Sequence, residues 1–247
     1  MELEYVPLFK TQRELYGIPR GMERFRAYLS TMVDPATGDM SLPLPAMNPM
    51  AKDHVPALLD RYLELGADEI AEHAVADAQT ELEGLPGQFK VTLVLSDDAM
   101  GGWTNRYSSE FTFRFGTRAY LKRGWAIGIL WSSETPSTRR AREEALTAVY
   151  RAAYILQNGY ASTLEEMMKQ EGYAMARAGC SSPALPGDEI GYTRDALDQH
   201  LKAKDHPTLI SCLFGDAAAS ELGYPPLGLS DRAGLALALH YARCSEP

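Results

Sequence analysis

The spacing of apolar residues changes from a helical to an extended pattern near residue 90, and this change most constrains the fold. Residues 68–83 place apolar side chains three and four positions apart, as an amphipathic helix does. The segments 90–95, 106–115 and 125–131 are then read as strands, the last two because aromatic or apolar residues alternate. With no helix predicted between them, the three strands predict an antiparallel β-meander.

Helical spacing returns after residue 135 and continues towards the C-terminus. Two overlapping capping-box sequences, Ser162 with Glu165 and Thr163 with Glu166, predict a helix start, and Thr193 is expected to cap a later helix. The order of helices, meander and helices predicts an α+β fold, in which a small antiparallel meander of about three strands packs against a majority of α-helices. A βαβ repeat is not expected, which argues against a doubly wound nucleotide-binding fold.

The composition of the 247-residue chain is that of a globular protein, with 45% hydrophobic and 23% charged residues. No apolar run approaches the roughly 18 residues of a transmembrane helix, and the acidic first residues do not resemble a signal peptide. A soluble, cytoplasmic protein without membrane contact is therefore expected. One compact domain over 1–247 is predicted, with a helical C-terminal subdomain over 160–247 as the alternative.

Charge is distributed unevenly along the chain, which has a formal net charge of −9. Residues 100–142 carry 8 basic and 2 acidic side chains, a net +6, whereas the segments on both sides are acidic. This basic segment indicates either an anion site or internal pairing with acidic helices. The overall negative charge argues against nucleic acid as a partner.

The segment 96–106 contains the most reactive combination of residues. It joins the first two predicted strands over about ten residues, whereas hairpin loops usually have two to five. Asp97 and Asp98 are the candidate catalytic residues, because adjacent carboxylates act as bases or bind hard cations. The candidate ligand-binding residues of this segment are Gly101, Gly102, Trp103, Asn105 and Arg106.

These ligand-binding candidates are chosen for what each residue type does. The glycine pair allows a turn whose free N–H groups bind an anion, and Arg106 can hold a carboxylate or phosphate through two hydrogen bonds. The alternative is a structural loop that packs Trp103 into a gap and pairs Arg106 with an aspartate. Arg139 is a further candidate, because basic residues at a helix start oppose the helix dipole unless an anion or a nearby acid compensates.

Two other polar groups could supply metal ligands but are more typical of solvated helix faces. One contains Glu69, His73 and Asp77, and the other contains Asp198, His200, Asp205 and His206. The cysteines form no CxxC pair, and their odd number argues against a disulfide framework; they are Cys180, Cys212 and Cys244. The sequence identifies neither a cofactor nor a metal.

Two functions from different classes fit these observations. In the first, the protein binds a small anionic metabolite near the 96–106 loop and acts on it as a hydrolase or transferase, with or without a divalent cation. In the second, it is a non-enzymatic assembly or adaptor subunit that acts through a homo-oligomeric or partner interface. Motifs with a known mechanism, such as GxxxxGK[ST], GxGxxG, HExxH and GxSxG, are absent from the sequence.

Overall fold

The structure is a computed structural model that describes residues 1–99 and 105–245. Helices predominate, and the described residues form three strands. The strands are β1 (Glu2–Tyr5), β2 (Gln88–Ser96) and β3 (Trp125–Trp131). The helices are α1 (Phe9–Gly17), α2 (Met22–Met32), α3 (His54–Glu64), α4 (Ala67–Glu81), α5 (Arg106–Phe115), α6 (Arg118–Leu121), α7 (Thr138–Asn158), α8 (Leu164–Arg177), α9 (Gly187–Asp198), α10 (His206–Leu222) and α11 (Ala233–Ser245).

The chain divides into two compact units. Unit 1 contains Met1–Ser109 and Thr117–Val149, and it holds the sheet. Unit 2 contains Glu110–Gly116 and Tyr150–Pro247, and its described residues are largely helical. The single domain over 1–247 and the alternative subdomain over 160–247 stay predictions. Among the described residues, no helix is long and apolar enough to cross a membrane.

The sheet is parallel throughout, so the predicted antiparallel meander is wrong. Its strand order is β1-β2-β3, with Glu2 opposite Gln88 at one pair and Lys90 opposite Trp125 at the other. The physical reason lies in burial. All seven residues of β3 and the last six of β2 are buried, and a strand buried on both faces has a continuous apolar sequence, as parallel sheets do. The apparent alternation in β3 concealed this continuity.

The second predicted strand, residues 106–115, is also wrong, because it forms helix α5. Its aromatic residues recur at every second position, but Tyr107, Phe111 and Phe115 are also four positions apart and therefore share one helix face. The rings of Phe111 and Phe115 contact each other with centroids 5.1 Å apart. The spacing of these aromatic residues fits both a strand and a helix, and the segment forms a helix.

β1 was not predicted, and its four residues complete the parallel sheet at one edge. Parallel neighbours need crossover connections. Helices α1 to α4 connect β1 to β2, and α5 and α6 connect β2 to β3. The expectation that no βαβ repeat is present is therefore wrong, because helices connect neighbouring parallel strands.

Two close contacts fix helices of unit 1 against β2 and β3. The side-chain amide of Gln12 in α1 donates to the carbonyl of Leu95 at 3.1 Å and accepts from its N–H at 3.0 Å, so α1 is held at the end of β2. Helix α7 crosses β3 at Gly128, where an added Cβ would lie 2.8 Å from the carbonyl oxygen of Glu144. These contacts place α1 beside the end of β2 and the first half of α7 against the middle of β3.

An ionic network is buried inside unit 2. Glu171 of α8 is fully buried and accepts hydrogen bonds from Arg151 at 2.6 and 3.0 Å, and it also pairs with Arg114. Glu110 pairs with Arg114 at 2.8 Å and accepts two hydrogen bonds from Arg232 at 2.6 and 2.7 Å. The network joins three guanidinium groups and two carboxylates, and the side chains of Arg114 and Arg232 are 12% and 18% exposed. Removing Glu171 would leave Arg151 and Arg114 without their shared carboxylate in a low dielectric.

Helix α10 contains a sharp break at Gly215, whose φ of 82° and ψ of −175° are not helical. Next to it, the carboxylate of Asp216 accepts hydrogen bonds from the N–H groups of Leu227, Gly228 and Leu229 at 2.8 to 3.1 Å. The break at Gly215 divides α10 into two parts. The break turns the chain so that the carboxylate of Asp216 binds the N–H groups of the segment that leads into α11.

At the far edge of the sheet, the hydroxyl of Tyr5 in β1 donates to Asp68 of α4 at 2.6 Å. Burial raises the pKa of Asp68 to about 6, and the negative charges of Glu69 and Glu72 act in the same direction. The folded-state pKa lies above the unfolded value, so the contribution of Asp68 to stability is fully present below about pH 4 and is lost as pH rises through 6. At neutral pH the ionised carboxylate is therefore unfavourable.

The variant Asp68→Asn is expected to be more stable than the wild type at pH 8, by roughly 1–2 kcal/mol. The amide cannot ionise but still accepts the hydrogen bond from Tyr5. Chemical denaturation at pH 4 and pH 8 measures the effect, which is expected to disappear at the lower pH. Asp77→Asn on the exposed face of α4 is the matched control and should show no such gain. Equal stability of Asp68→Asn and wild type at pH 8 would contradict the prediction.

Candidate functional site

Polar side chains meet at the carboxyl ends of β2 and β3. Ser96 and Trp131 are the last residues of the two strands and are paired in register. The residues that follow them, Asp97 after β2 and Ser132 after β3, are therefore neighbours. Ligands of open parallel sheets bind outside the carboxyl ends of the strands, so this edge is the candidate site.

Asp97 is the buried centre of this edge, with 2% of its surface exposed. One carboxylate oxygen accepts a hydrogen bond from the side chain of Asn48 at 2.9 Å. The other accepts one from the hydroxyl of Ser132 at 3.0 Å and lies 2.8 Å from Nε2 of His54. Three partners from three parts of the chain therefore fix both oxygens of one carboxylate.

His54 is the first residue of α3, and its side chain is 18% exposed. An ionised carboxylate has only acceptor oxygens, so Nε2 of His54 carries the proton that it donates to Asp97. The second ring nitrogen, Nδ1, is buried and has no hydrogen-bond partner in the described part of the chain. In the neutral ring this nitrogen holds the basic lone pair.

Asn48 reaches Asp97 because the segment of turns before α3 is anchored to α1 and α2. The hydroxyl of Tyr16 donates to the carbonyl of Asn48 at 2.7 Å. The buried guanidinium of Arg24 donates to the backbone carbonyls of Pro49 and of Tyr16, at 3.4 and 3.3 Å. Three prolines prevent this segment from forming a helix. Its contacts with α1 and α2 hold it in place instead.

Asp98 has a different environment from Asp97. Its carboxylate accepts hydrogen bonds from the N–H and hydroxyl of Ser133 at 2.9 and 2.6 Å, and from Arg106 at 2.9 Å. Burial raises the pKa of Asp98, but the hydrogen bonds from Ser133 and Arg106 outweigh it and hold the pKa below its ordinary value. Asp98 is therefore a fixed anion and a poor proton acceptor.

Arg106 links the two strand ends through a row of alternating charges. Besides Asp98 it bonds to Glu134 at 2.6 Å, and Glu134 in turn pairs with Arg140 at the start of α7 at 2.6 Å. The guanidinium of Arg106 also lies over the ring of Trp131, 4.5 Å from its centroid. This pairing of Arg106 with an aspartate is the one anticipated for a structural loop. Its role in holding a ligand stays a prediction.

Buried polar atoms without a hydrogen-bond partner concentrate at this edge of unit 1. In residues 1–99 and 105–245 they include Nδ1 of His54, the hydroxyl of Ser96 and the hydroxyl of Tyr62. Tyr62 follows His54 by two turns of α3, and burial together with the charge of Glu134 raises the pKa of its phenol. Such atoms are rare in folded proteins, and a functional role is one of the few physical reasons to retain them.

The remaining predicted site residues have varied positions. Asn105 accepts a hydrogen bond from the N–H of Ser108 at 3.0 Å and so stands at the start of α5. Arg139 is exposed and pairs with Glu143 at 2.7 Å, whereas its neighbour Arg140 is the one that contacts Glu134. Gly101, Gly102 and Trp103 lie outside the described residues.

The other predicted polar groups do not form metal centres in the described residues, where no set of three or more potential ligands that could hold a metal occurs. Glu69, His73 and Asp77 lie on the exposed face of α4, as expected. Cys180 and Cys212 are buried free thiols, whereas Cys244 is exposed. Burial raises the pKa of Cys212 to about 12, so this thiol is inert.

Sequence reasoning missed His54, Asn48 and the serine pair Ser132 and Ser133. The serines had a detectable signal, because they directly follow a continuous apolar segment, which marks the carboxyl end of a buried parallel strand. His54 and Asn48 had none, since they are 43 and 49 residues from Asp97 in the sequence. Only the fold brings them to the site.

Comparison with known proteins gives no family for this chain. No protein-family model, curated protein or solved structure matches it. The function is therefore inferred from the geometry of the site.

Proposed function

We propose that this protein is an enzyme that binds a small anionic metabolite at the carboxyl edge of β2 and β3, where His54 acts as a general base. The observation that carries the proposal is the pair formed by His54 and Asp97. Nε2 of the imidazole is 2.8 Å from a buried carboxylate, and Nδ1 is buried without a partner in the described residues. A histidine with one ring nitrogen oriented by a carboxylate and a lone pair on the other nitrogen is a recurrent arrangement for proton transfer.

The two residues have distinct roles in this proposal. Nδ1 of His54 accepts a proton from a bound substrate or from the water that attacks it. The positive charge that then develops on the ring is stabilised by the carboxylate of Asp97 at 2.8 Å. Asp97 is accordingly a positioning residue, whose orientation is fixed by Asn48 and Ser132. The chemistry fits a hydrolase or a transferase that needs one proton to be removed.

The preference for an anion rests on the positive groups at this edge. His54 lies at the N-terminus of α3, where the helix dipole favours negative charge. Arg140 at the start of α7 keeps 38% of its side chain exposed while it pairs with Glu134. Asp97 and Asp98 are held by internal partners, so these positive groups are the ones that a substrate meets.

The tautomer of His54 gives a test that does not need a substrate. Nitrogen NMR of labelled protein at pH 8 is expected to show the proton on Nε2 and an unprotonated Nδ1, with Asp97→Asn altering this pattern. Asp97→Asn is suitable because the amide keeps the size of the side chain. The opposite tautomer, with the proton on Nδ1, would leave no base for catalysis and would overturn the proposal.

Turnover of chromogenic p-nitrophenyl esters and phosphomonoesters tests the same role through activity. His54→Gln is expected to lower any turnover about 10²- to 10⁴-fold, the usual contribution of a general base. His73→Gln on the exposed face of α4 is the matched control and should leave the rate unchanged. Equal rates for His54→Gln and His73→Gln would exclude His54 as the base. The alternative of an assembly or adaptor subunit stays a prediction.

A further inference from the structure

The last two turns of α11 carry a histidine and a cysteine on one helix face. His240 and Cys244 are four positions apart in the sequence, and residues with this spacing lie one above the other on a helix. Sγ of Cys244 is 3.8 Å from Nε2 of His240. Cys244 is exposed and His240 is half-buried, so dissolved ions can reach the pair from solvent.

The distance between these two donor atoms suits a zinc ion. Zinc sites in proteins are usually tetrahedral, with Zn–S bonds of about 2.3 Å and Zn–N bonds of about 2.0 Å. Two such bonds at the tetrahedral angle place sulfur and nitrogen about 3.5 Å apart. The observed distance is 3.8 Å, so a small movement of either side chain lets both atoms bind one ion. A thiolate together with an imidazole favours zinc over hard cations such as Mg²⁺.

A zinc ion on this pair needs further ligands, because structural zinc sites have four. Among residues 1–99 and 105–245, no group of three or more His, Cys, Asp or Glu side chains that could hold a metal occurs. The described part of the chain therefore supplies two ligands at this place. A second copy related by a two-fold axis supplies the same two residues again and completes a Cys₂His₂ set.

Helix α11 carries little charge that would repel a second copy of itself. Residues Ala233–Ser245 contain one charged side chain, Arg243, and no Asp, Glu or Lys. The guanidinium of Arg243 donates to the backbone carbonyl of Cys180. Tyr241, beside the pair in sequence, is 41% exposed. Few charges and an exposed tyrosine are typical of the central part of a subunit interface.

We propose that His240 and Cys244 of two copies hold one zinc ion, and that this ion joins the two chains into a dimer. Each thiol loses its proton to solvent when its Zn–S bond forms. The two thiolate charges neutralise the ion, and each neutral imidazole binds through the lone pair of Nε2. The site lies in unit 2 and shares no residue with the proposed reaction at His54.

Sedimentation velocity of the full chain measures this association. Protein treated with EDTA is expected to be a monomer, and addition of Zn²⁺, but not of Mg²⁺, is expected to give a dimer. Native mass spectrometry should then find one zinc ion per two chains. A wild type that stays monomeric with Zn²⁺, that binds one zinc ion per chain without associating, or whose dimer resists EDTA would overturn the proposal.

Removal of the ligands tests the residues involved. His240→Gln and Cys244→Ser are each expected to weaken zinc-dependent association at least about a hundredfold, because each removes two of the four ligands. Both residues lie in the last turns of α11, so the variants should retain the fold, which circular dichroism verifies. His200→Gln, at another half-buried histidine of unit 2, is the matched control and should dimerise as the wild type does. Equal zinc-dependent association of His240→Gln and His200→Gln would contradict the proposal.

Discussion

Replacing Gly215 with alanine is expected to destabilise the protein by more than about 3 kcal/mol, because backbone strain and a steric clash add at this position. The residue has a φ of 82° and a ψ of −175°, a conformation that is almost restricted to glycine. A Cβ would lie 2.0 Å from the carbonyl oxygen of Ser230, which is backbone and cannot rotate away. The break in α10 would have to move, and Asp216 would lose its position against the N–H groups before α11.

Urea denaturation followed by circular dichroism measures this loss. The matched control is Gly191→Ala in α9, where glycine has an ordinary backbone conformation and no neighbour within 4 Å of an added Cβ. Alanine is the better helix former, so this control is expected to gain about 0.5–1 kcal/mol. A Gly215→Ala protein as stable as the wild type would show that the geometry of the break is not required for folding.

Replacing Glu171 with glutamine is expected to cost about 3–5 kcal/mol, as breaking a buried ion pair does when one partner remains charged. The substitution keeps the shape of the side chain but removes the negative charge that faces Arg151 and Arg114. Glu171 is fully buried, so water cannot replace the lost interaction. The destabilisation comes from the two guanidinium groups, which stay charged in a poorly solvated position.

The pH dependence of stability separates this charge effect from a packing effect. Burial raises the pKa of Glu171, but Arg151 and Arg114 outweigh it and hold the pKa at about 2. The folded-state pKa lies below the ordinary 4.5, so Glu171 stabilises the wild type above pH 4.5, and this contribution is lost as pH falls towards 2. The Glu171→Gln variant should lack this part of the acid dependence.

Glu165→Gln on the same helix is the control for Glu171→Gln. Glu165 pairs with Lys169 and Lys202 at the surface, where solvent screens the charges, so its loss should change stability little. If both glutamines cost the same, burial of the ionic network would not be the source of its contribution.

The helices could be predicted closely wherever local residues determine their ends. Residues 68–83 correspond to α4 (Ala67–Glu81), and the capping box of Thr163 and Glu166 is present at the start of α8. The start of α9 was predicted at Thr193 but lies at Gly187, because Thr193 is 1% exposed and packs inside unit 2. Thr193 is a residue type suited to capping, but here it packs in the interior. The local sequence does not show this.

The direction of the strands could not be predicted from the spacing of apolar and aromatic residues. The spacing of 106–115 satisfied both a helix and a strand, and reading it as a strand removed the crossover between β2 and β3. Without that crossover, neighbouring strands had to be antiparallel. One ambiguous segment of ten residues therefore decided the orientation of the whole predicted sheet.

Two residues of the candidate site were predicted from the sequence, and their catalytic role stays a prediction. Asp97 and Asp98 were candidates because they are adjacent carboxylates, and both lie at the carboxyl edge of the sheet. Their difference was not foreseeable, because it depends on tertiary partners: Asp98 is paired with Arg106, whereas Asp97 contacts His54. Sequence indicates which residue types are close along the chain, and the fold decides which carboxylate contacts a histidine.

The way in which the chain passes between the two units has a consequence for making fragments of this protein. Unit 2 takes its segment Glu110–Gly116 from within the stretch that otherwise builds unit 1. A fragment that starts at residue 150 would therefore contain Arg232 but lack Glu110, its partner at 2.6 Å. No single cut yields either unit with all of its parts, so limited proteolysis in the middle of the chain should release fragments that unfold instead of two stable domains.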